Sequence, residues 1–451
     1  MVKAKSEYVC ESCGAHAVRW SGRCSTCGEW DSLHEEIAAP AVPAAPSRAS
    51  LSHAPKPIAL PEITAQDTPR IATGIAELDR VLGGGLVPGA AVLIAGEPGI
   101  GKSTILLQAG GRLAAAGRRV LYVSGEESAA QIGLRARRLG IDAGELFVLP
   151  DTDLRRILAV AAEHAPAVLV LDSIQMVHDP ELSATPGSVR QVRECAAALV
   201  LHAKRHGIPL ILVGHVTKDG AIAGPKTLEH LVDTVLALEG DRSYGHRLLR
   251  TSKNRFGRTE EIGLFEMADE GLREVADPTA LFLNTERDEA PGSIVFPWVE
   301  GSRVLLVEVQ ALAATSGGGS PARRVSGVDP NRLALVLAVL ERAAGLSFAS
   351  LEVFVNVVGG VKLAEPAADL AIALALASAH TGRPLPRDAV AFGELGLQGE
   401  VRGVSRAAAR LGEAARLGFP TAVAPADAGR VGGRRVHAIR RLRDAVERIL
   451  G

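Results

Sequence analysis

Gly96-Glu97-Pro98-Gly99-Ile100-Gly101-Lys102-Ser103 satisfies the spacing Gly-x4-Gly-Lys-Ser. Such a loop takes up triphosphates when it follows an apolar strand and opens a helix. Both conditions are met, because Ala90–Ala95 is an apolar run and a helical pattern begins at Lys102. The glycines let backbone N–H groups turn toward phosphate oxygens, and the helix N-terminus adds the positive end of its dipole. Lys102 is expected to reach the β- and γ-phosphates of ATP and Ser103 to offer its hydroxyl to Mg2+, with Thr104 beside them in the first turn.

The rest of such a site must come from other strand ends. Val168 to Leu171 is an apolar run that ends in Asp172, a carboxylate placed to hold Mg2+. The run Leu121–Ser124 ends in Gly125-Glu126-Glu127-Ser128. A carboxylate there can orient and deprotonate an attacking water, and Glu126 is the first choice, with Glu127 the other. Helix capping by Ser124 or Ser128 is an alternative use of the same segment. Leu210–Val213 leads into Gly214-His215, where a polar group can sense the γ-phosphate; a plain strand-end histidine competes with that reading.

Two Cys-x2-Cys pairs, Cys10/Cys13 and Cys24/Cys27, stand near the N-terminus. Four thiolates in two such pairs surround one tetrahedral Zn2+ and leave no open position, so the site is structural. Gly14 and Gly28 beside the pairs suit tight knuckle turns. Cys195 lies alone in an apolar helical stretch and reads as a buried small side chain.

These residues need elements to hold them. At 451 residues the chain has room for about three domains. The reading is a zinc module at 1–31, an Ala/Pro-rich linker at 32–69, an α/β ATPase domain at 70–276 and a mixed α+β domain at 277–451. Short apolar strands alternating with helical segments between Arg70 and Leu238 imply a parallel sheet with helices on both faces. The tail reads as strands at Ser293–Phe296, Val304–Val309 and Leu351–Val358, with helices at Leu333–Ala344 and Ala364–Ala379. A net charge of −1 offers no overall attraction to nucleic acid or to anionic membrane, so any DNA contact must be local. Aromatics at 3% argue against binding driven mainly by base stacking. The first residues carry no apolar signal segment, and no run approaches the roughly 18 apolar residues of a membrane helix, so a cytoplasmic protein is expected.

The tetracysteine front, the phosphate loop, Tyr122–Ser128, Val170–Gln175 and Lys253-Asn254-Arg255-Phe256-Gly257 together resemble the bacterial RadA (Sms) family of recombination and DNA-repair ATPases. The resemblance covers nearly the whole chain. It implies a RecA-like P-loop core that assembles as a ring, with six subunits expected, around single-stranded or branched DNA. It further implies the RecA recombinase as partner and motor activity in branch migration. Within that family Lys253 and Arg255 would act at the subunit interface, where a cation from a neighbour stabilises charge on the γ-phosphate. Glu126 and His215 match the catalytic carboxylate and the sensor of RecA-like ATPases.

Val358–Asp369 and Gly393–Val401 look like the active-site segment of Lon proteases and the strand pair after it. The Ser–Lys dyad is absent: Ala367 stands at the serine position, and no lysine follows Lys362. A nucleophile without its base is not activated, so the tail is expected to be a scaffold and not a protease. Arg434, Arg435, Arg440 and Arg441 permit DNA contact there, or form a solvated face. The rival to a motor is an ATP-switched scaffold without hydrolysis-driven movement.

Overall fold

The computed structural model describes residues 6–10, 15–17, 19–30, 32–37, 69–215, 225–240, 245–259, 261–275, 279–283, 290–316, 321–429 and 435–451. The chain divides into two compact units. One comprises Met1–Glu239, Leu248–Thr259 and Ala268–Arg273; the other comprises Gly240–Arg247, Glu260–Met267 and Glu274–Gly451.

The N-terminal module is an antiparallel ribbon of β1 (Ser6–Cys10), β2 (His16–Ala17) and β3 (Leu33–Ile37), ordered β2-β1-β3. Its small core is Cys10, Cys24 and Leu33, with Tyr8, Ala15 and Ala17 packed against it. So little apolar surface does not stabilise a fold by itself, which is why such modules rely on a metal.

The ATPase domain begins with α1 (Ala76–Leu82), β4 (Ala91–Gly96) and α2 (Lys102–Ala115). There follow β5 (Val120–Ser124), α3 (Ala129–Arg138), β6 (Leu146–Pro150), α4 (Leu154–His164), β7 (Val168–Asp172) and α5 (Val189–His206). Next come β8 (Leu210–His215), α6 (Pro225–Leu228), β9 (Thr234–Glu239), β10 (His246–Asn254), β11 (Ile262–Ala268) and β12 (Gly271–Glu274). From β9 the strands run β9-β4-β8-β7-β5-β6, all parallel, and β10 pairs antiparallel with β9. Every residue of β4, β5 and β7 is buried, the mark of strands covered on both faces. Leu93, Leu121, Leu169 and Leu212 pack with Ile157 of α4 and with Val192 and Leu199 of α5. On the alternate face a Cβ added at Gly110 of α2 would lie 3.6 Å from Val120.

The parallel α/β core is as the apolar runs predict. Strand β6 had no such signal: it is the edge strand, partly exposed along its length, and Pro150 ends it. Helix α3 is capped by Ser128, whose side chain accepts from Gln131 N in a full capping box. Capping thus falls to Ser128, and neither glutamate before it is used for that purpose.

The second unit holds α7 (Thr279–Phe282) and a sheet of β13 (Ser293–Glu300), β14 (Arg303–Thr315), β15 (Arg323–Ser326), β16 (Leu351–Val357), β17 (Ala389–Ala391), β20 (Thr421–Pro425) and β21 (Arg435–Ile439). The strand order is β15-β16-β14-β13-β17-β20-β21. A separate short pair, β18 (Glu394–Leu395) and β19 (Val401–Arg402), matches the expected strand pair. The remaining helices are α8 (Pro330–Ala344), α9 (Asp369–Thr381), α10 (Ala407–Arg416) and α11 (Leu442–Leu450). Helix α9 is buried from Asp369 through Ser378, apolar all round because it is central. It starts later than Ala364, since Pro366 disfavours helical backbone at the preceding residue, Glu365 is extended (ψ 136°), and a 3-10 turn over Pro366–Ala368 comes before the helix. Among the described residues no helix is long and apolar enough to cross a membrane.

Candidate nucleotide site and metal centre

Strand β4 ends at Gly96, and α2 begins at Lys102 with Gly101 as its N-cap. Gly99 (φ +77°) and Gly101 (φ +119°) adopt left-handed backbone, which a side chain would strain and which curls the loop over the helix end. Lys102 is buried, and its Nζ donates to Gly96 O at 2.7 Å and Glu97 O at 3.0 Å. Burial pushes its pKa down, against the opposing pull of the Asp172 and Glu126 charges. Glu97, Pro98 and Gly99 are exposed, Ile100 is buried, and Ser103 and Thr104 are half-buried in the first turn.

Sheet register brings the other groups to this edge. Gly96 pairs with His215, and Ser124 pairs with Asp172. Between these pairs Leu171 stands opposite Leu212, so β8 runs two residues beyond β7, and the side chains at the strand ends meet. His215 Nε2 lies 3.0 Å from Glu126 Oε1, and Ser173 Oγ donates to the same oxygen at 2.6 Å. Burial pushes the Glu126 pKa up. The Ser173 hydrogen bond, the charge and hydrogen bond of His215, and Lys102 outweigh it, so the carboxyl sits below its usual range. Glu127 pairs instead with Arg135. Of the two candidate glutamates, Glu126 is the one facing the cradle.

Asp172 is buried and accepts a hydrogen bond from Tyr122 Oη at 2.6 Å. Burial and the neighbouring Asp172 charge raise the tyrosine pKa well above normal, so the hydroxyl stays a donor. Sequence reading found neither Tyr122 nor Ser173 as site residues. Tyr122 looks like an ordinary strand aromatic, and its role emerges only because β5 and β7 are neighbours. The left-handed glycines, the buried amine and the clustered carboxylates fit a nucleoside triphosphate, for which Ser103 and Asp172 could hold the Mg2+.

Lys253 and Arg255 do not join this cluster within one chain. Lys253 Nζ donates to Glu229 O and, at 2.9 Å, to Val232 O. Arg255 Nη1 pairs with Asp233 Oδ1 at 3.0 Å, while Asp233 Oδ2 accepts from Ala91 N, the first residue of β4. Asn254 and Phe256 close the turn, with Phe256 N donating to Asn254 Oδ1 at 2.9 Å. A Cβ at Gly257 would stand 2.9 Å from Asn254 Nδ2 and 3.3 Å from Gly83 Cα, so a side chain there would displace the Asn254 amide that closes the turn.

In the N-terminal module the sulfurs of Cys10, Cys24 and Cys27 all lie within 4.8 Å of one another. Cys10 Sγ and Cys27 Sγ are 3.6 Å apart, near the ~3.8 Å edge of a tetrahedron with Zn–S bonds of about 2.3 Å. Gly28 (φ +77°) turns the second knuckle. Cys13, the fourth expected ligand, lies outside the described residues. Cys195 is fully buried, as its apolar setting predicts, and burial pushes its thiol up to about 11.

In the second unit Ala367, at the Lon serine position, is buried. Around Ala367 stand two ion pairs, Arg332 with Asp369 and Arg410 with Glu365. Arg410 is wholly buried, donates to Pro297 O at 2.6 Å, and faces the rings of Phe296 and Phe392 at 5.7 and 5.9 Å. Arg435, Arg440 and Arg441 are exposed, and Arg434 lies outside the described residues.

Three family profiles match: an AAA domain over residues 55–221, a rubredoxin metal binding domain over 8–35, and subunit ChlI of Mg-chelatase over 332–428. They agree with an ATPase core, a zinc-ribbon front and a ChlI/Lon-like tail. The DNA repair protein RadA of Aquifex aeolicus is 47% identical over 99% of both chains. That of Brucella abortus is 47% identical over 95% of this chain and 93% of its own. That of Escherichia coli is 48% identical over 94% of each. With a P-loop core, a cysteine ribbon and nearly half of its residues shared along the whole length, the chain belongs to the RadA family of DNA repair proteins.

Proposed function

We propose that this chain is a DNA-dependent ATPase and motor that moves along single-stranded or branched DNA and promotes branch migration of recombination intermediates. The observation that carries the reading is the separation of the cationic segment from the cradle within one chain. A ring in which one subunit's Lys253 and Arg255 face the next subunit's Lys102 joins the two halves of the site, and six subunits is the expected number. Hydrolysis then depends on assembly, which couples turnover to subunit movement.

At each interface Lys102 and the loop N–H groups bind the phosphates. Ser103 and Asp172 hold Mg2+, with Tyr122 fixing the Asp172 carboxylate. The bound Mg2+ supplies neutralisation of phosphate charge. Glu126, held by Ser173 and His215, orients the water and takes its proton; His215 passes the phosphate state along β8. Arg255 stabilises charge on the transferred phosphoryl group from the neighbouring subunit. Cys10, Cys13, Cys24 and Cys27 hold one Zn2+ that orders the front module. The RecA recombinase is the proposed protein partner, and the cytoplasm the proposed place of action. The Lon-like tail serves as scaffold without peptidase chemistry.

The test is the ATPase rate with and without single-stranded DNA, beside strand-exchange assays of branch migration. Stimulation by DNA, lost in Lys102→Ala while rings still form, is expected. A negligible rate unmoved by DNA favours the ATP-switched scaffold instead. If phosphates carry the binding, affinity falls steeply with salt.

A further inference from the structure

The chain has three tryptophans. Trp298 is 3% exposed, but Trp20 and Trp30, both on the N-terminal module, are 56% and 72% exposed. The two rings are neighbours: a Cβ placed on Gly22 would lie 3.8 Å from Trp30 and 4.0 Å from Trp20. A tryptophan normally buries 150–250 Å² of mostly apolar surface, so two open rings side by side forgo a large stabilisation.

The metal knuckle holds them in place. Arg23 and Trp30 form an antiparallel bridge that flanks Cys24–Cys27, and Cys24 N donates to Glu29 O at 2.8 Å. Arg23 Nε donates to Gly28 O at 2.6 Å, and its guanidinium carbon sits 5.7 Å from the centre of the Trp30 ring. That arrangement fixes one arginine against one ring and leaves guanidinium N–H groups for an anion. Within residues 19–30 the other exposed residues are Arg19, Ser21, Arg23, Ser25, Thr26, Cys27 and Glu29. None of these is aliphatic. A standard protein interface buries about 800 Å² per partner around an apolar centre from which charged residues are depleted, and two rings set among polar and charged groups do not make such a centre. Two flat faces with arginine at the edge fit unpaired nucleobases and their phosphates.

We infer that Trp20 and Trp30 form a stacking platform for single-stranded nucleic acid, built and kept rigid by the zinc knuckle. The inference rests on the reading of single-stranded DNA as the motor's track, and adds a contact outside the ATPase core. The 3% aromatic content is low over the whole chain, yet this module concentrates two of the large rings.

The test uses the full-length protein and oligothymidylate. Tryptophan emission should be quenched on binding, in the wild type and in Trp298→Phe, where only the platform rings report. Trp20→Ala/Trp30→Ala should lower affinity by about tenfold or more, and Trp20→Phe/Trp30→Phe should restore most of it. Zinc content measured on each variant separates loss of the rings from loss of the module. Unchanged affinity of the zinc-loaded alanine variant, with no quenching in the wild type, overturns the platform while leaving the DNA-motor reading intact. Unchanged DNA affinity together with lost binding of purified RecA recombinase reassigns the rings to protein docking and also overturns it. Absence of any DNA binding or stimulation by the wild type removes the motor reading and the platform together.

Discussion

Arg255 and Lys102 stand by opposite ends of strand β4. Arg255 is anchored on Asp233, which binds the first residue of β4 through Ala91 N, whereas Lys102 donates to Gly96 O, at the last residue of that strand. Five strand rises separate those ends, roughly 16 Å. An arginine at the entrance edge does not serve the cradle at the exit edge of its own subunit, but it can serve another subunit's.

The corresponding measurement mixes two variants. Lys102→Ala and Arg255→Ala should each hydrolyse ATP at least about 10³-fold more slowly than wild type. Mixed in equal amounts they should regain part of the activity, because some interfaces then combine an intact cradle with an intact arginine. No gain at any mixing ratio would sink the shared site.

Ser173→Ala removes one of two hydrogen bonds on Glu126. We expect kcat to fall about tenfold, with KM for ATP little changed. The serine bond favours the carboxylate, so without it the Glu126 pKa rises. The acid limb of the kcat profile should move to higher pH. A drop in rate without that displacement would mean the serine acts only on packing.

Tyr122→Phe leaves the ring and deletes the donor to Asp172. The Mg2+ concentration for half-maximal hydrolysis should rise several-fold at saturating ATP, the size of effect common for outer partners of metal ligands. An unchanged Mg2+ dependence would exclude the positioning role.

Zinc analysis should find one ion per chain, lost in Cys24→Ala. Because the module core contains little besides Cys10, Cys24 and Leu33, chelation should open it to proteolysis ahead of Ala76. ATP binding by the α/β core should persist. Retention of a protected module after zinc removal would contradict the structural role.

Arg410→Ala leaves Glu365 without its partner beside a buried site. Loss of one member of a buried pair costs about 3–5 kcal/mol, so thermal unfolding of the second unit should move to distinctly lower temperature. An unshifted transition would show that the pair is solvated in solution.

The sequence by itself determined the chemistry that local spacing can encode. Gly96–Ser103 is contiguous, the cysteine pairs are short-range, and the apolar runs of β4, β5, β7 and β8 are dense enough to announce a parallel sheet. The missing lysine after Lys362 was equally plain. Edge strand β6 escaped because half-exposed strands carry little pattern, and helix α9 begins after Ala364 because Pro366 holds Glu365 extended. Only the tertiary structure decided between Glu126 and Glu127, since Arg135 takes one and Ser173 with His215 takes the other. Only strand order revealed Tyr122 as the partner of Asp172, and only burial separated the open rings of Trp20 and Trp30 from the enclosed Trp298. The physical reason is common to all three. A residue's type is written in the chain, but its partners are set by which strands become neighbours and which surfaces are left to water.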